Sequence, residues 1–77
     1  MKNKVLLFGM LAEAVGQPSV EIGEVADVDS LRKRITTSYP VLDQYPFAIA
    51  LNKKVVNANQ PIKDGDELAL LPPFAGG

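Results

Sequence analysis

Apolar positions along the chain fall into six short runs, one of them with helical spacing, and one longer stretch with helical spacing. Lys4-Val5-Leu6-Leu7-Phe8 is apolar at both parities and stops at Gly9, the pattern of a strand inside a sheet rather than at its edge. Met10 to Val15 carries Leu11, Ala14 and Val15 at helical spacing and is closed by Gly16. That predicts a short helix with a glycine stop. Pro18 marks a turn, and Ser19-Val20-Glu21-Ile22 alternates as a second strand, antiparallel to the first. Val28, Leu31 and Ile35 then recur at i, i+3 and i+7 behind Asp27. This is the clearest amphipathic helix in the chain. The Asp27 carboxylate is suited to accept from free N–H groups of the first turn. Lys33 and Arg34 fall on the polar side, and Pro40 predicts a helix end near Ser38 or Tyr39.

Beyond a loop ending at Pro46, Phe47-Ala48-Ile49-Ala50-Leu51 reads as a third strand. Asn52-Lys53-Lys54 reads as a turn and Val55-Val56 as a short strand beyond it. Asn57 to Gln60 is polar and turn-like. Pro61 to Asp66 forms a turn into the last strand, with Asp64-Gly65 supplying a positive-φ site. That strand is Glu67-Leu68-Ala69-Leu70-Leu71, stopped by Pro72 and Pro73, which lack N–H groups. The predicted class is α+β: a sheet of about five strands on one main helix, with a short extra helix and an extended tail. Residues 1–71 form the domain and 72–77 the tail. One helix covers one sheet face. Side chains alternate across strands, so Leu68 and Leu70 oppose Ala69 and Leu71, and Val5 and Leu7 oppose Leu6 and Phe8. The uncovered face is expected to carry an apolar patch of the kind that marks a partner site.

Composition narrows the chemistry. The chain has 77 residues, 47% of them hydrophobic, and a formal net charge of −1. That fits one domain and gives no basic footprint for nucleic acid or anionic membrane. It has no cysteine and no histidine, which removes thiol nucleophiles, Cys-based metal sites and the commonest general base. An autonomous hydrolase of the usual kinds is not expected. Asp64-Gly65-Asp66-Glu67 lacks calcium-loop spacing and reads as a solvated turn. Gly9, Gly16 and Gly23 lack phosphate-loop spacing, and Lys53-Lys54 reads as a hairpin tip. Lys2 and Lys4 before Val5–Leu11 loosely resemble a secretory leader. The run is at the short limit, and Glu13 sits poorly at its end, so a cytoplasmic protein without a membrane span is expected.

The tail Pro72-Pro73-Phe74-Ala75-Gly76-Gly77 joins a stiff lead to two residues without side chains. Extended, it reaches about 20 Å. Its final group is the Gly77 α-carboxylate, whose reference pKa near 3.5 leaves it ionised at neutral pH.

Asp64-Gly65-Asp66-Glu67, the strand to Leu71, Pro72-Pro73 and the closing Gly76-Gly77 together resemble the end of molybdopterin synthase small subunits, which are ubiquitin-like β-grasp sulfur carriers. Lys4 to Phe8, Leu11 to Gly16, the helix Val28 to Ile35 and the Leu51-Asn52 turn fit the same layout. Two positions depart from that pattern: Ala12-Glu13 stands where an Arg-Glu pair is usual, and Leu70-Leu71 where an aromatic pair is common. The resemblance implies a mixed β-grasp sheet and a carrier that is not an enzyme on its own. It implies that Gly77 is adenylated by an E1-like enzyme using ATP and converted by a sulfur donor protein to a C-terminal 1-thioglycine. The sulfur is then delivered to a cyclic pyranopterin precursor in the large synthase subunit, with Gly76 needed for channel passage. No metal or bound cofactor is implied. Phe8, Val55, Leu71, Pro72, Pro73, Phe74 and Ala75 are the expected partner-binding residues. The alternatives are a sulfur carrier for thiazole (thiamine) synthesis, usually shorter and without the extra helix and Pro-Pro, a carrier for another sulfur-containing product, and a non-catalytic ubiquitin-like interaction or modifier domain.

Overall fold

The computed structural model describes residues 3–72; Pro73, Phe74, Ala75, Gly76 and Gly77 lie outside the described residues, as do Met1 and Lys2. Strand β1 (Asn3–Leu7) pairs antiparallel with β2 (Ser19–Ile22), Val5 opposite Val20. Helix α1 (Met10–Val15) bridges them. It is closed by Gly16 at φ 88°, whose N–H donates to the Ala12 carbonyl at 2.8 Å. Glycine enters that left-handed geometry without steric cost.

Helix α2 (Val28–Ser38) buries Val28, Leu31 and Ile35, the stripe expected from their spacing. Its first turn is fully engaged by neighbours. The Ser30 N–H donates to Asp27 Oδ1 at 2.9 Å, the Asp29 N–H to Asn59 Oδ1 at 2.8 Å, and the Val28 N–H to the Gln60 carbonyl at 2.9 Å. These bonds satisfy donors that a helix start otherwise leaves open. The loop expected after Pro40 is instead a 3₁₀ turn, Pro40–Gln44, which inserts Leu42 fully into the core. Proline is tolerated at that position because a first-turn N–H would lack a partner anyway.

β3 (Ala48–Leu51), β4 (Lys54–Val55) and β5 (Leu68–Leu71) complete a five-stranded sheet in the order β2-β1-β5-β3-β4. β5 lies between β1, parallel to it, and β3, antiparallel to it. The mixed sheet on one main helix is the expected β-grasp layout. The β3–β4 turn is tighter than expected. Asn52 and Lys53 alone make it, at φ 53° and 71°, so Lys54 joins β4 and Val56 falls outside it. Two consecutive positive-φ residues match the right-handed twist of a hairpin. One face of the sheet packs Val5, Leu7, Ile49, Leu51, Leu68 and Leu70 into a single core with α2, α1 and Leu42.

Candidate functional site

The last described residue, Pro72, continues a central strand, so the tail begins inside the sheet order rather than at an edge. β5 is held on both sides up to its end. Leu71 sits opposite Ala48, and the Phe8 N–H donates to the Leu70 carbonyl at 3.3 Å. Pro72 then ends the ladder for want of an N–H.

Around this end lies the sheet face that α2 does not cover. Pairing aligns Leu6, Ala69, Ala50 and Val55 across four strands. Ala69 and Ala50 are almost buried, Leu6 and Leu71 are half-buried, and Phe8 and Val55 are 45% and 52% exposed. Two small side chains in the middle, with larger ones around them, make a low apolar centre with raised sides. Met10, at the start of α1, is a further large apolar residue left 48% exposed. Sequence reasoning missed it, because its period assigned only Leu11, Ala14 and Val15. Of the expected partner-binding residues, the structure brings Phe8, Val55, Leu71 and Pro72 to this face or its margin. Pro73, Phe74 and Ala75, with Gly76 and Gly77, lie outside the described residues.

The opposite end of the same face is charged. Lys4 lies across from Glu21, and a cavity of about 400 Å³ is lined by Asn3, Lys4, Leu6 and residues 64–68. The Asp64–Glu67 turn here is a structural lock. Asp66 Oδ2 accepts from the Lys63 N–H at 2.7 Å and Oδ1 from Asn52 Nδ2 at 3.1 Å. Asn52 Oδ1 in turn accepts from the Glu67 N–H at 2.9 Å. The Lys63 backbone bond first, then the Asn52 amide, holds the Asp66 carboxyl below its ordinary value of 3.8. The role of Asn52 was legible only as a turn residue. Its side chain reaches a segment 14 residues away, which no local pattern encodes. Asp27 is lowered likewise, first by its bonds to Ser30. Both shifted carboxylates therefore serve the fold. Among the described residues no group of three or more His, Cys, Asp or Glu side chains is placed to hold a metal ion, and no helix is long and apolar enough to cross a membrane.

This chain is similar to known proteins in both sequence and structure. The ThiS family model matches residues 5–77, and the chain belongs to that family. Among its relatives is the molybdopterin synthase sulfur carrier subunit of Chlamydomonas reinhardtii, 35% identical over 100% of both chains. In structure it is similar to a protein–protein complex of subunits 1 and 2 of molybdopterin-converting factor from Helicobacter pylori 26695, with a TM-score of 0.73, 32% identity and 100% of both chains covered. It is also similar to the small archaeal modifier protein 1 of Methanosarcina acetivorans, with a TM-score of 0.78, 26% identity and 99% and 96% of the two chains covered.

Proposed function

We propose that this chain is a cytoplasmic sulfur carrier, the small subunit of a molybdopterin synthase, and that Gly77 bears the sulfur. The observation that carries the reading is full-length similarity to a sulfur carrier subunit, joined to a central strand that ends at Pro72 beside an open apolar face. Helix α1 and Pro72 favour it over a thiazole-pathway carrier, which is usually shorter and lacks both.

In this reading the Gly77 carboxylate oxygen attacks the α-phosphorus of ATP on an E1-like enzyme, and pyrophosphate leaves. A sulfide equivalent from a donor protein displaces AMP from the acyl carbon, leaving a thiocarboxylate. In the large subunit the carbon–sulfur bond of the tail is broken, sulfur passes to the pyranopterin precursor, and water supplies the oxygen that restores the carboxylate. Two such rounds deliver the two sulfurs of a dithiolene. The domain contributes docking and reach, and the catalytic groups belong to the partners. Phe8, Val55 and Leu71 dock the large subunit, with Pro72, Pro73, Phe74 and Ala75 leading Gly76 into a narrow channel.

Intact mass spectrometry after incubation with the activating enzyme, ATP and a sulfur donor tests this. One oxygen-for-sulfur exchange, localised to Gly77 and lost on its deletion, is expected. An unchanged mass with a competent enzyme set rejects the reading. The likeness to an archaeal modifier protein supports a second use, attachment of Gly77 to protein lysines. Tryptic peptides in which residues 64–77 are branched onto the lysine of another protein, from cells expressing the chain, would establish it.

A further inference from the structure

Gly9 stands where β1 turns into α1, at φ 56° and ψ −133°, a conformation open to glycine and strained for side-chain-bearing residues. Its carbonyl accepts from the Ala12 and Glu13 N–H groups at 3.1 and 3.3 Å, which starts the helix. A second feature has nothing to do with α1. A Cβ built on Gly9 would lie 2.9 Å from Pro72 Cγ and 3.9 Å from Pro72 Cδ. The space a side chain would fill is taken by the first residue of the tail.

We propose that Gly9 is a positioning residue for sulfur delivery: its bare Cα is the seat of Pro72, and this contact fixes where the chain stands as it leaves β5. The inference rests on the reading of the tail as the sulfur-bearing segment. Pro72 is pinned on three counts. Leu71 before it is held opposite Ala48, its own φ is locked by the ring, and the ring lies against Gly9. Holding Pro72 in one place reduces the ordering needed when a partner takes up the residues that follow it. A side chain at position 9 forces the proline ring away until carbon–carbon separations reach about 3.5–4.0 Å, a lift of about 0.6–1 Å. Displacements of about 1 Å at a reacting group cost on the order of 100-fold in rate.

The test is a double-mutant cycle with Gly9→Val and Pro72→Ala. The Gly77 thiocarboxylate is made chemically, so that activation is bypassed, and single-turnover sulfur transfer is measured in the complex with the large subunit. Gly9→Val is expected to slow transfer ten-fold or more while the Kd for the large subunit stays within about three-fold. In the Pro72→Ala background, which lacks Cγ and Cδ, the same change is expected to slow transfer by less than about three-fold. Equal slowing in both backgrounds would place the effect in backbone strain at α1 and overturn the proposal, as would no slowing at all. Thermal midpoints monitor folding. Where Gly9→Val does not fold, Gly9→Ala takes its place with a smaller loss and the same contrast between backgrounds. Nuclear Overhauser contacts between the Gly9 α-protons and the Pro72 ring are read on the free wild-type protein. If the loaded wild type donates no sulfur, the functional reading fails and these contacts alone decide the seat: their presence supports it and their absence overturns it.

Discussion

On the α2 side of the sheet, Val5, Ile49, Leu68 and Leu70 are wholly buried; on the other side Leu6 and Leu71 are half-buried and Phe8 and Val55 stand about half exposed. The same strands supply both sets, one residue apart. The buried side is leucine, isoleucine and valine meeting a helix stripe of Val28, Leu31 and Ile35. The open side puts alanines at its centre and keeps its large residues at the sides. A face built to be filled by its own chain needs bulk in the middle. A face left for another protein needs shape and exposed apolar area, and each large side chain buried there contributes about 1.5–3 kcal/mol. If the open face docks the partner as proposed, strand parity separates stability from recognition, and substitutions can address one without the other.

The largest effect expected is on the buried side. Leu70→Ala removes a side chain with no exposure and should destabilise the domain by about 2–5 kcal/mol, read from urea unfolding. Ala48 sits opposite Leu71 at the neighbouring outward position, and Leu71→Ala should cost less than about 1 kcal/mol. Equal costs at positions 70 and 71 would break the division between the faces.

Leu71→Lys sharpens the comparison from the other side. Its expected effect is a ten-fold or greater loss of affinity for the large synthase subunit, about 1.4 kcal/mol. The thermal midpoint should move by less than the 4–8 °C that about 1 kcal/mol produces in a domain this small. A variant that unfolds would show that Leu71 belongs to the core.

Most of this division is legible in the sequence, because periodicity reports burial directly. The spacing of Val28, Leu31 and Ile35 names the helix face, and the alternation in residues 68–71 names the two strand faces. Asp27 and Gly16 are legible as caps because capping is local chemistry. Three features are not. The 3₁₀ turn Pro40–Gln44 has too few residues to show a period, and Leu42 is buried by tertiary packing alone. The Asn52 lock and the Gly9–Pro72 contact each join segments distant in sequence, and a single chain carries no local sign of such a pairing. Gly9 is legible as the end of a strand, but the proline that fills its missing side chain is not.

A smaller effect is expected at the rim where the charged end of the open face meets β3 and β5. Asn52→Gly keeps the φ of 53° accessible while removing the side-chain bonds to Asp66 and Glu67. A loss of about 1 kcal/mol is expected, measured by urea unfolding. Affinity for the large subunit should be unchanged, because Asn52 lies at the far end of the face from Pro72. A fall in affinity comparable to that of Leu71→Lys would extend the docking surface across the whole face.

The smallest effect is in acid, and it separates polar locks from apolar faces. Asp66 and Asp27 both titrate below the ordinary 3.8 in the folded protein, held there by hydrogen bonds to the charged form. A group whose folded pKa is depressed contributes stability that is fully present above its unfolded value and is lost as pH falls through the folded one. The thermal midpoint should therefore be flat with respect to these two groups above about pH 5 and decline below about pH 4. Asp66→Asn should lower the midpoint at neutral pH and flatten part of that acid decline, since the amide keeps an acceptor but loses the charge that the Lys63 N–H and the Asn52 amide favour. Leu71→Lys and Phe8→Ser, placed on the open face, should leave the shape of the acid decline unchanged. An acid limb as steep in Asp66→Asn as in the wild type would mean that the turn is held by backbone geometry rather than by the carboxylate.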